Sequence, residues 1–416
     1  MLKILMPLLL GANILFASVS TDELVLKLDD ESVAILDTRS EDSYNGWILN
    51  NEARGGHIKN AKPFPLLWTK LLNKDSKIIN DLKNKKEIIL YGTDKNNTKK
   101  VYNFLKNNGL EKIDIYENGI KEYVKNNSLP MENLPRYEKL VPASYIKSLL
   151  DKKEDFKLFE VSWGKGKEYK KAHIPSSVHI NTDEVESGPI WNYKSKEDLL
   201  KFVLNYGISK KSKVILYGAD TMAASRVAIA LMAAGVEDVR LLNGGFKAWT
   251  DNAYETQQEE NKAKSINSFG GDFFSNSKLI KNIEDAENIL KSENASLISI
   301  RSKDEFIGKT SGYSYIKPIG HIKDSIWGDS GSDAYHLENY RSVSNKMLNA
   351  DDLKKFWKDL GIDTNKHLSF YCGTGWRGAE VLFYAYVMGL DNISLYDGGW
   401  LEWSLDGKRA IVNESK

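Results

Sequence analysis

The chain has a single cysteine among 416 residues, so an internal disulfide and a cysteine-rich metal site are both excluded. Its six histidines are scattered without ligand spacing, and the sequence gives no sign of a metal. Lysine and arginine number 58 against 57 acidic residues, a formal net charge of +1, so we expect no nucleic-acid partner. No apolar run reaches the ~20 residues that a membrane-spanning helix needs.

The N-terminus has the pattern of a secretory signal. A basic start at Met1-Leu-Lys3 precedes an apolar stretch over residues 4–17 and small residues around Ser18. This pattern predicts a signal peptide over residues 1–20, a periplasmic or secreted protein, and no stable membrane insertion after cleavage. An uncleaved anchor or a core helix is the alternative. In an exported protein, one unpaired cysteine favours a free, reactive or persulfidated thiol.

Three copies of one pattern make up most of the remaining chain. Each has an apolar strand that ends in a tyrosine and is followed by a small-residue loop. Glycines lie 18 and 28 residues after the tyrosine, and an aromatic residue lies 32 residues after it. The three sets are Tyr91, Gly109, Gly119 and Tyr123; Tyr217, Gly235, Gly245 and Trp249; Tyr371, Gly389, Gly399 and Trp403. Such a fixed register indicates duplicated domains.

The order of elements in each copy predicts an α/β fold. In the third copy we predict a strand at 368–371, a helix at 379–388 and a strand at 393–396, preceded by another strand at 297–301. A His-Ile pair recurs at His57, His173 and His321, and we expect it to hold a turn. The pattern predicts three doubly wound domains, each with a mostly parallel central sheet flanked by helices. Their predicted ranges are 21–130, 137–255 and 278–412, with polar linkers between.

Cys372 is the candidate nucleophile. It follows a strand and precedes a small-residue loop and a helix, where loop amides and the helix dipole favour a thiolate over a thiol. The alternative is a buried cysteine acting as a small hydrophobe. Because Gly92 and Gly218 stand at the matching positions of the other copies, no side-chain volume is needed there. Without sulfur, these two copies are predicted to be inactive, serving as scaffold or binding anions through their loop amides.

Other candidate site residues lie in the same loop and in the preceding strand. Gly373, Thr374 and Gly375 let backbone amides converge on a sulfur or an anion. Arg377 adds a cation for an oxyanion such as a sulfonate. Trp376 either walls the pocket or packs, and Arg301 either contacts substrate or braces its strand.

In these motifs the chain resembles the rhodanese-family sulfurtransferases, with three tandem rhodanese domains. The supporting residues are the loop from Tyr371 to Glu380, Arg301, the Gly320-His-Ile322 motif and the turn from Asp397 to Trp400. The resemblance implies that Cys372 takes a sulfane sulfur from thiosulfate or a related donor and passes it, as a persulfide, to cyanide or a thiol. No cofactor is implied. Phosphatases of related shape place five residues between cysteine and arginine rather than four, so sulfur chemistry is favoured.

Two departures from the family pattern put the donor in doubt. Ser299 replaces the usual acid of the early strand, and Glu305 stands where thiosulfate-using relatives often have an arginine. A polysulfide or sulfur carrier that delivers sulfur to a partner enzyme is therefore an alternative function, and an interaction scaffold with an incidental thiol is a third. The long segment between Gly308 and Leu348 is expected to form part of the pocket rim.

Overall fold

A computed structural model describes residues 18–405 and 407–415. Most of the predicted signal peptide therefore lies outside the described residues. These residues divide into two compact units, one formed by 18–44 and 48–132 and the other by 45–47 and the chain from 133 onward. Within the described part of the chain, no helix combines the length and apolar character needed to cross a membrane.

The first unit contains the first repeat. Its central sheet has the order β3-β1-β4-β5, and every pairing in it is parallel. The helices and strands are α1 (Thr21–Leu26), β1 (Val33–Asp37), α2 (Glu41–Asn45), β2 (His57–Ile58), β3 (Lys62–Pro63), α3 (Lys77–Lys83), β4 (Glu87–Tyr91), α4 (Lys95–Asn107), β5 (Ile113–Ile115), α5 (Gly119–Tyr123) and β6 (Met131–Glu132).

The second unit begins with the second repeat, whose five-stranded parallel sheet has the order β7-β13-β12-β8-β9. Its elements are β7 (Leu140–Val141), α6 (Ala143–Asp151), β8 (Lys157–Ser162), α7 (Lys167–Lys171), β9 (Val178–Asn181), β10 (Glu186–Ser187), β11 (Asn192–Tyr193), α8 (Lys196–Asn205), β12 (Lys213–Tyr217), α9 (Thr221–Ala234), β13 (Asp238–Leu242) and α10 (Gly245–Asp251).

The third repeat has the same sheet order with its own strands, β14-β19-β18-β15-β17, again all parallel. Its elements are β14 (Ile280–Lys281), α11 (Ile283–Leu290), β15 (Ala295–Ser299), α12 (Lys303–Phe306), β16 (His321–Ile322), β17 (Ile326–Trp327), α13 (Ala350–Asp359), β18 (His367–Tyr371), α14 (Trp376–Val387), β19 (Ile393–Tyr396), α15 (Gly399–Leu405) and β20 (Ile411–Val412). The predicted parallel α/β architecture is confirmed.

Helices α9 and α14 pack against each other, and one hydrophobic core contains residues from the sheets and helices of both repeats. The first unit has hydrophobic clusters of its own, built around β4 and α4. The second and third repeats are therefore joined by a shared interior rather than by a linker alone.

The three His-Ile pairs anchor the end of each repeat. Nδ1 of each histidine donates to a backbone carbonyl, that of Tyr44, Tyr169 or Phe306, at 2.7–2.8 Å, and each ring stacks on the same residue. Each histidine also pairs with the closing tail of its repeat, at Glu132, Gln257 and Val412. This pairing extends the first and second repeats past their predicted ends at 130 and 255. The sequence does not indicate these ends, because a two-residue strand leaves no periodic pattern.

Candidate active site

Cys372 lies at the carboxyl end of β18, the central strand of the third sheet, and only 1% of it is exposed. Gly375, with φ at +101°, caps α14, which begins at Trp376, three residues before the predicted start. The Gly375 N–H points back and donates to Sγ of Cys372 at 3.2 Å. A short left-handed turn thus places a backbone donor and the positive end of a twelve-residue helix beside the sulfur.

Gly399, the glycine that closes the repeat, explains how the carbonyl groups of the cysteine loop are kept away from the sulfur. The Trp400 N–H donates to the Cys372 carbonyl at 2.8 Å, and the Leu401 N–H donates to the Gly373 carbonyl at 3.1 Å. Gly399 has φ +56°, and a methyl group there would lie 2.6 Å from the Cys372 carbonyl oxygen. Only glycine permits this approach.

The other two repeats show the same closing contact, which accounts for the recurring glycine. A methyl group on Gly119 would lie 2.6 Å from the carbonyl oxygen of Gly92, and one on Gly245 would lie 2.6 Å from that of Gly218. The glycine 28 residues after each tyrosine therefore fixes the loop at the cysteine position, whether or not a cysteine is present.

Arg377 is buried and its guanidinium is already paired. Nη1 and Nη2 donate to the two carboxylate oxygens of Glu305, each at 2.8 Å, and further donations reach Ser330 Oγ at 3.0 Å and the Asp333 carbonyl at 3.2 Å. Burial alone would raise the pKa of Glu305, but the charge and hydrogen bonds of Arg377 lower it to about 2. Glu305 thus occupies the two outer nitrogens of Arg377, which were predicted to bind a sulfonate. Within the described chain, only Nε of this guanidinium lacks a hydrogen-bond partner.

Arg301 is also buried, on the far side of Glu305. Its Nη1 donates to the Gly320 carbonyl at 2.7 Å, its Nε approaches Glu305 at 3.3 Å, and its guanidinium carbon lies 4.9 Å from the Trp400 ring. Nη2 has no hydrogen-bond partner among the residues that the structure describes. These contacts join the early strand to the His-Ile turn.

Three tyrosines from the long segment after Gly308 lie near the cysteine loop, and sequence reasoning did not single them out. The ring of Tyr313 covers Gly373 so closely that a methyl group there would lie 2.4 Å from it. Its hydroxyl accepts from Arg377 Nη2 at 3.3 Å, and burial raises the pKa of Tyr313, so the phenol stays protonated. The Thr374 side chain lies beside the Tyr315 hydroxyl, and burial raises the pKa of Tyr315 to about 12.

Tyr315 and Tyr335 are exposed, and both rings approach that of Tyr313, with centroids 5.3 and 5.6 Å away. The segment thus places aromatic rings beside the cysteine loop. Of its basic residues, Arg341 pairs with Glu380 at 2.6 Å, and Lys317 donates to the Ser314 carbonyl at 3.0 Å.

Trp376 is half-buried and reaches the second repeat, where its indole N–H donates to Glu186 at 2.8 Å. The sequence could not have shown this contact, because nothing in a repeat without sulfur marks Glu186 as part of a site. The third repeat thus places the Gly375 N–H at the sulfur and Gly373 and Thr374 in the same loop, and it places Trp376, Arg377 and Arg301 around the loop with protein partners.

Comparison with known proteins identifies the family. The sequence model of the family described as rhodanese-like domain matches residues 20–126, 143–252 and 282–406 of this chain. This chain belongs to the rhodanese family. A thiosulfate sulfurtransferase of Escherichia coli, YnjE, is 39% identical over 399 residues, which are 93% of this chain and 90% of YnjE. With a relative so similar over almost its whole length, the chain is a sulfurtransferase with tandem rhodanese domains.

Solved structures of EanB share the whole rhodanese architecture. Wild-type EanB superimposes with a TM-score of 0.91 at 35% identity, over 96% of this chain and 98% of EanB. Another EanB structure, also with a TM-score of 0.91 and 35% identity, covers 95% of this chain and 99% of EanB and carries a cysteine persulfide in a tetrahedral intermediate state with ergothioneine. Cysteine persulfides therefore occur in close relatives.

The two rhodanese domains without cysteine have no room for one. A methyl group on Gly92 would lie 2.3 Å from Thr38 Oγ1 and 2.6 Å from Thr98 Oγ1, while one on Gly218 would lie 2.5 Å from the Val161 carbonyl oxygen. These positions are filled by the domains' own atoms, so restoring the sulfur would require a change in the surrounding chain.

Proposed function

We propose that this sulfurtransferase moves sulfane sulfur through a persulfide on Cys372. The observation that carries the proposal is the donation from Gly375 N–H to Sγ, in a loop whose carbonyls are bound by α15. Backbone donors left on the sulfur side stabilise a thiolate, and they stabilise the longer persulfide anion in the same way.

The proposed transfer has two balanced steps. The Cys372 thiolate attacks the outer sulfur of thiosulfate, an S–S bond forms to Sγ, and sulfite leaves with the electron pair of the broken S–S bond. Cyanide or a thiolate then attacks the outer sulfur of the persulfide, and the Cys372 thiolate leaves. No cofactor and no external oxidant or reductant takes part.

The Glu305–Arg377 pair bears on the donor. Because both outer nitrogens of Arg377 are bound to Glu305, the buried arginine contributes its charge without an open fork for a sulfonate. A donor with a smaller anionic end than thiosulfate, such as polysulfide, therefore suits the site better. Relatives named as thiosulfate sulfurtransferases support thiosulfate as the other candidate.

A second candidate acceptor is an imidazole compound that carries a quaternary ammonium group. The tyrosine cluster of Tyr313, Tyr315 and Tyr335 beside the cysteine loop favours it, because aromatic faces attract quaternary ammonium groups. EanB has been solved with hercynine, an imidazole that carries such a group, and this similarity supports the candidate. Cyanide and small thiols make no use of an aromatic rim.

The test measures sulfur transfer by the purified chain and by Cys372→Ser. Thiosulfate or polysulfide is supplied with cyanide, a thiol or hercynine, and the sulfurated product is quantified; intact mass reports the persulfide as a gain of about 32 Da. We expect Cys372→Ser to lose at least about 10³-fold in rate. Full activity in the serine variant would contradict the proposal. A stable persulfide without turnover would favour the sulfur carrier, and the preferred acceptor would decide between cyanide, thiol and imidazole.

A further inference from the structure

Arg226, on α9 of the second repeat, lies directly against the cysteine loop of the third. It is fully buried, and its Nη1 has no hydrogen-bond partner among the described residues. A methyl group on Gly375 would lie 2.4 Å from that nitrogen. Gly375 is the residue whose N–H donates to Sγ of Cys372. The guanidinium therefore packs on the backbone segment that cradles the sulfur.

Arg226 is held in place from several sides. Its Nε donates to Glu186 at 2.9 Å, and its Nη2 donates to Asp397 at 2.6 Å and to the Trp191 carbonyl at 2.8 Å. Its guanidinium carbon stacks 3.6 Å from the centre of the Tyr193 ring. Asp397 belongs to the closing turn of the third repeat, so the planar guanidinium links both repeats at the loop and cannot rotate away from it.

The matching position in the other repeat carries the opposite charge. Arg226 comes nine residues after Tyr217, and Glu380 comes nine residues after Tyr371. Glu380 is buried beside the loop of the second repeat, where Thr221 Oγ1 donates to it at 3.0 Å. Each repeat thus places one helix residue at the loop of the other. The loop that holds the cysteine receives the cation, and the loop without cysteine receives the carboxylate, which pairs with Arg341 at 2.6 Å.

We propose that Arg226 is a positioning residue for sulfur transfer, so that the second rhodanese domain supplies part of the active site although it has no cysteine. The inference rests on the proposed persulfide chemistry at Cys372. Arg226 makes and breaks no bond in either step. It holds Gly375 in the left-handed conformation that aims its N–H at the sulfur, and it adds a buried positive charge behind that amide.

The test compares Arg226→Gln and Arg226→Lys with the wild type. The matched control is Arg240→Gln, since Arg240 is also an arginine of the second repeat, paired with Asp238 and placed over the Tyr145 ring, but outside the site. Sulfur loading of Cys372 from thiosulfate and from polysulfide is followed by intact mass. Alkylation of Cys372 by iodoacetamide is followed against pH, and thermal melting is recorded by circular dichroism.

We expect Arg226→Gln to slow sulfur loading at least about tenfold and to move the alkylation midpoint to higher pH. The other titratable and charged groups near Cys372 are unchanged in this variant: Arg377, Tyr313 and Tyr315 of its own repeat, and Glu186 and Asp397, which pair with Arg226. Arg226→Lys keeps the positive charge but not the planar guanidinium. We therefore expect its alkylation midpoint to lie closer to the wild-type value than its sulfur-loading rate does. Arg240→Gln should match the wild type in both measurements.

A folded Arg226→Gln variant with wild-type loading and an unchanged alkylation midpoint would overturn the proposal. If this variant does not fold, the double variant Arg226→Gln/Glu186→Gln keeps the net charge of the buried cluster and is measured instead. If the wild type itself fails to load sulfur, the proposed function is wrong. The alkylation profile would still test Arg226, because alkylation needs no sulfur donor.

Discussion

At the scale of single residues, the pair formed by Glu305 and Arg377 shows how a buried partner changes what an arginine can bind. From sequence alone, Arg377 was an open cation five residues after the cysteine, and Glu305 was a departure from the family pattern. The structure joins the two observations, because the carboxylate fills the guanidinium fork. A departure at one position therefore altered the expected role of another, 72 residues away.

The same pair predicts a pH dependence of stability. The folded-state pKa of Glu305 is about 2, below its ordinary value of 4.5, so its contribution is complete above pH 4.5 and is lost as the pH falls toward 2. The contribution is on the order of 3 kcal/mol. Glu305→Gln should therefore be much less stable than the wild type at pH 6, and the difference should shrink at pH 3.

Urea unfolding followed by circular dichroism at pH 6, 5, 4 and 3 measures this difference. Glu111→Gln, at an exposed glutamate of the first repeat, is the control and should track the wild type throughout. Other carboxyl groups titrate alike in all three proteins and cancel. A gap between wild type and Glu305→Gln that stays constant from pH 6 to pH 3 would show that Glu305 is not held ionised by Arg377.

At the scale of elements, the strands and the spacing of glycines were predictable, while the lining of the site was not. The strand before Cys372 and the strand at 393–396 form where the apolar runs indicate. Helix α14 begins earlier than its apolar pattern because Gly375 caps it and Trp376 and Arg377 fill its first turn with residues that the site uses. Tyr313, Glu186 and Arg226 reach the loop through tertiary contacts, which local patterns in a single sequence do not record.

The closing glycine allows a prediction at this scale. In Gly399→Ala the new methyl group would meet the carbonyl oxygens of Cys372 and Gly373, at 2.6 and 2.9 Å, in a left-handed conformation. Because backbone atoms cannot move aside cheaply, the cysteine loop must shift. We expect a loss of stability of about 1–3 kcal/mol and a fall in sulfur-loading rate of at least about tenfold.

Gly119→Ala is the matched control, because it makes the same 2.6 Å contact with the Gly92 carbonyl oxygen in a repeat without cysteine. It should lose a similar amount of stability and retain its sulfur-loading rate, both measured by urea unfolding and intact mass. Equal losses of activity in the two variants would mean that the glycine acts only through general stability.

At the scale of the whole molecule, the second and third repeats share one interior. The first unit has its own hydrophobic clusters around β4 and α4. In the second unit, α9 and α14 share one hydrophobic core, so the repeat without cysteine and the repeat with it fold around the same interior. The repeat without cysteine thus contributes to the packing of the repeat that contains it.

This shared core predicts that damage to the second repeat opens the site in the third. Leu231, on α9, is fully buried in the core, and Leu231→Ala should cost about 2–5 kcal/mol. Cys372 is the only cysteine, so the loss of its sulfur loading with increasing urea, followed by intact mass, reports loss of the folded site in the third repeat. The urea midpoint of this loss should fall in Leu231→Ala. Leu105→Ala makes an equivalent cavity in the first unit, and we expect that midpoint to stay unchanged. If Leu231→Ala also left it unchanged, the two repeats would unfold independently and the common interior would carry no coupling between them.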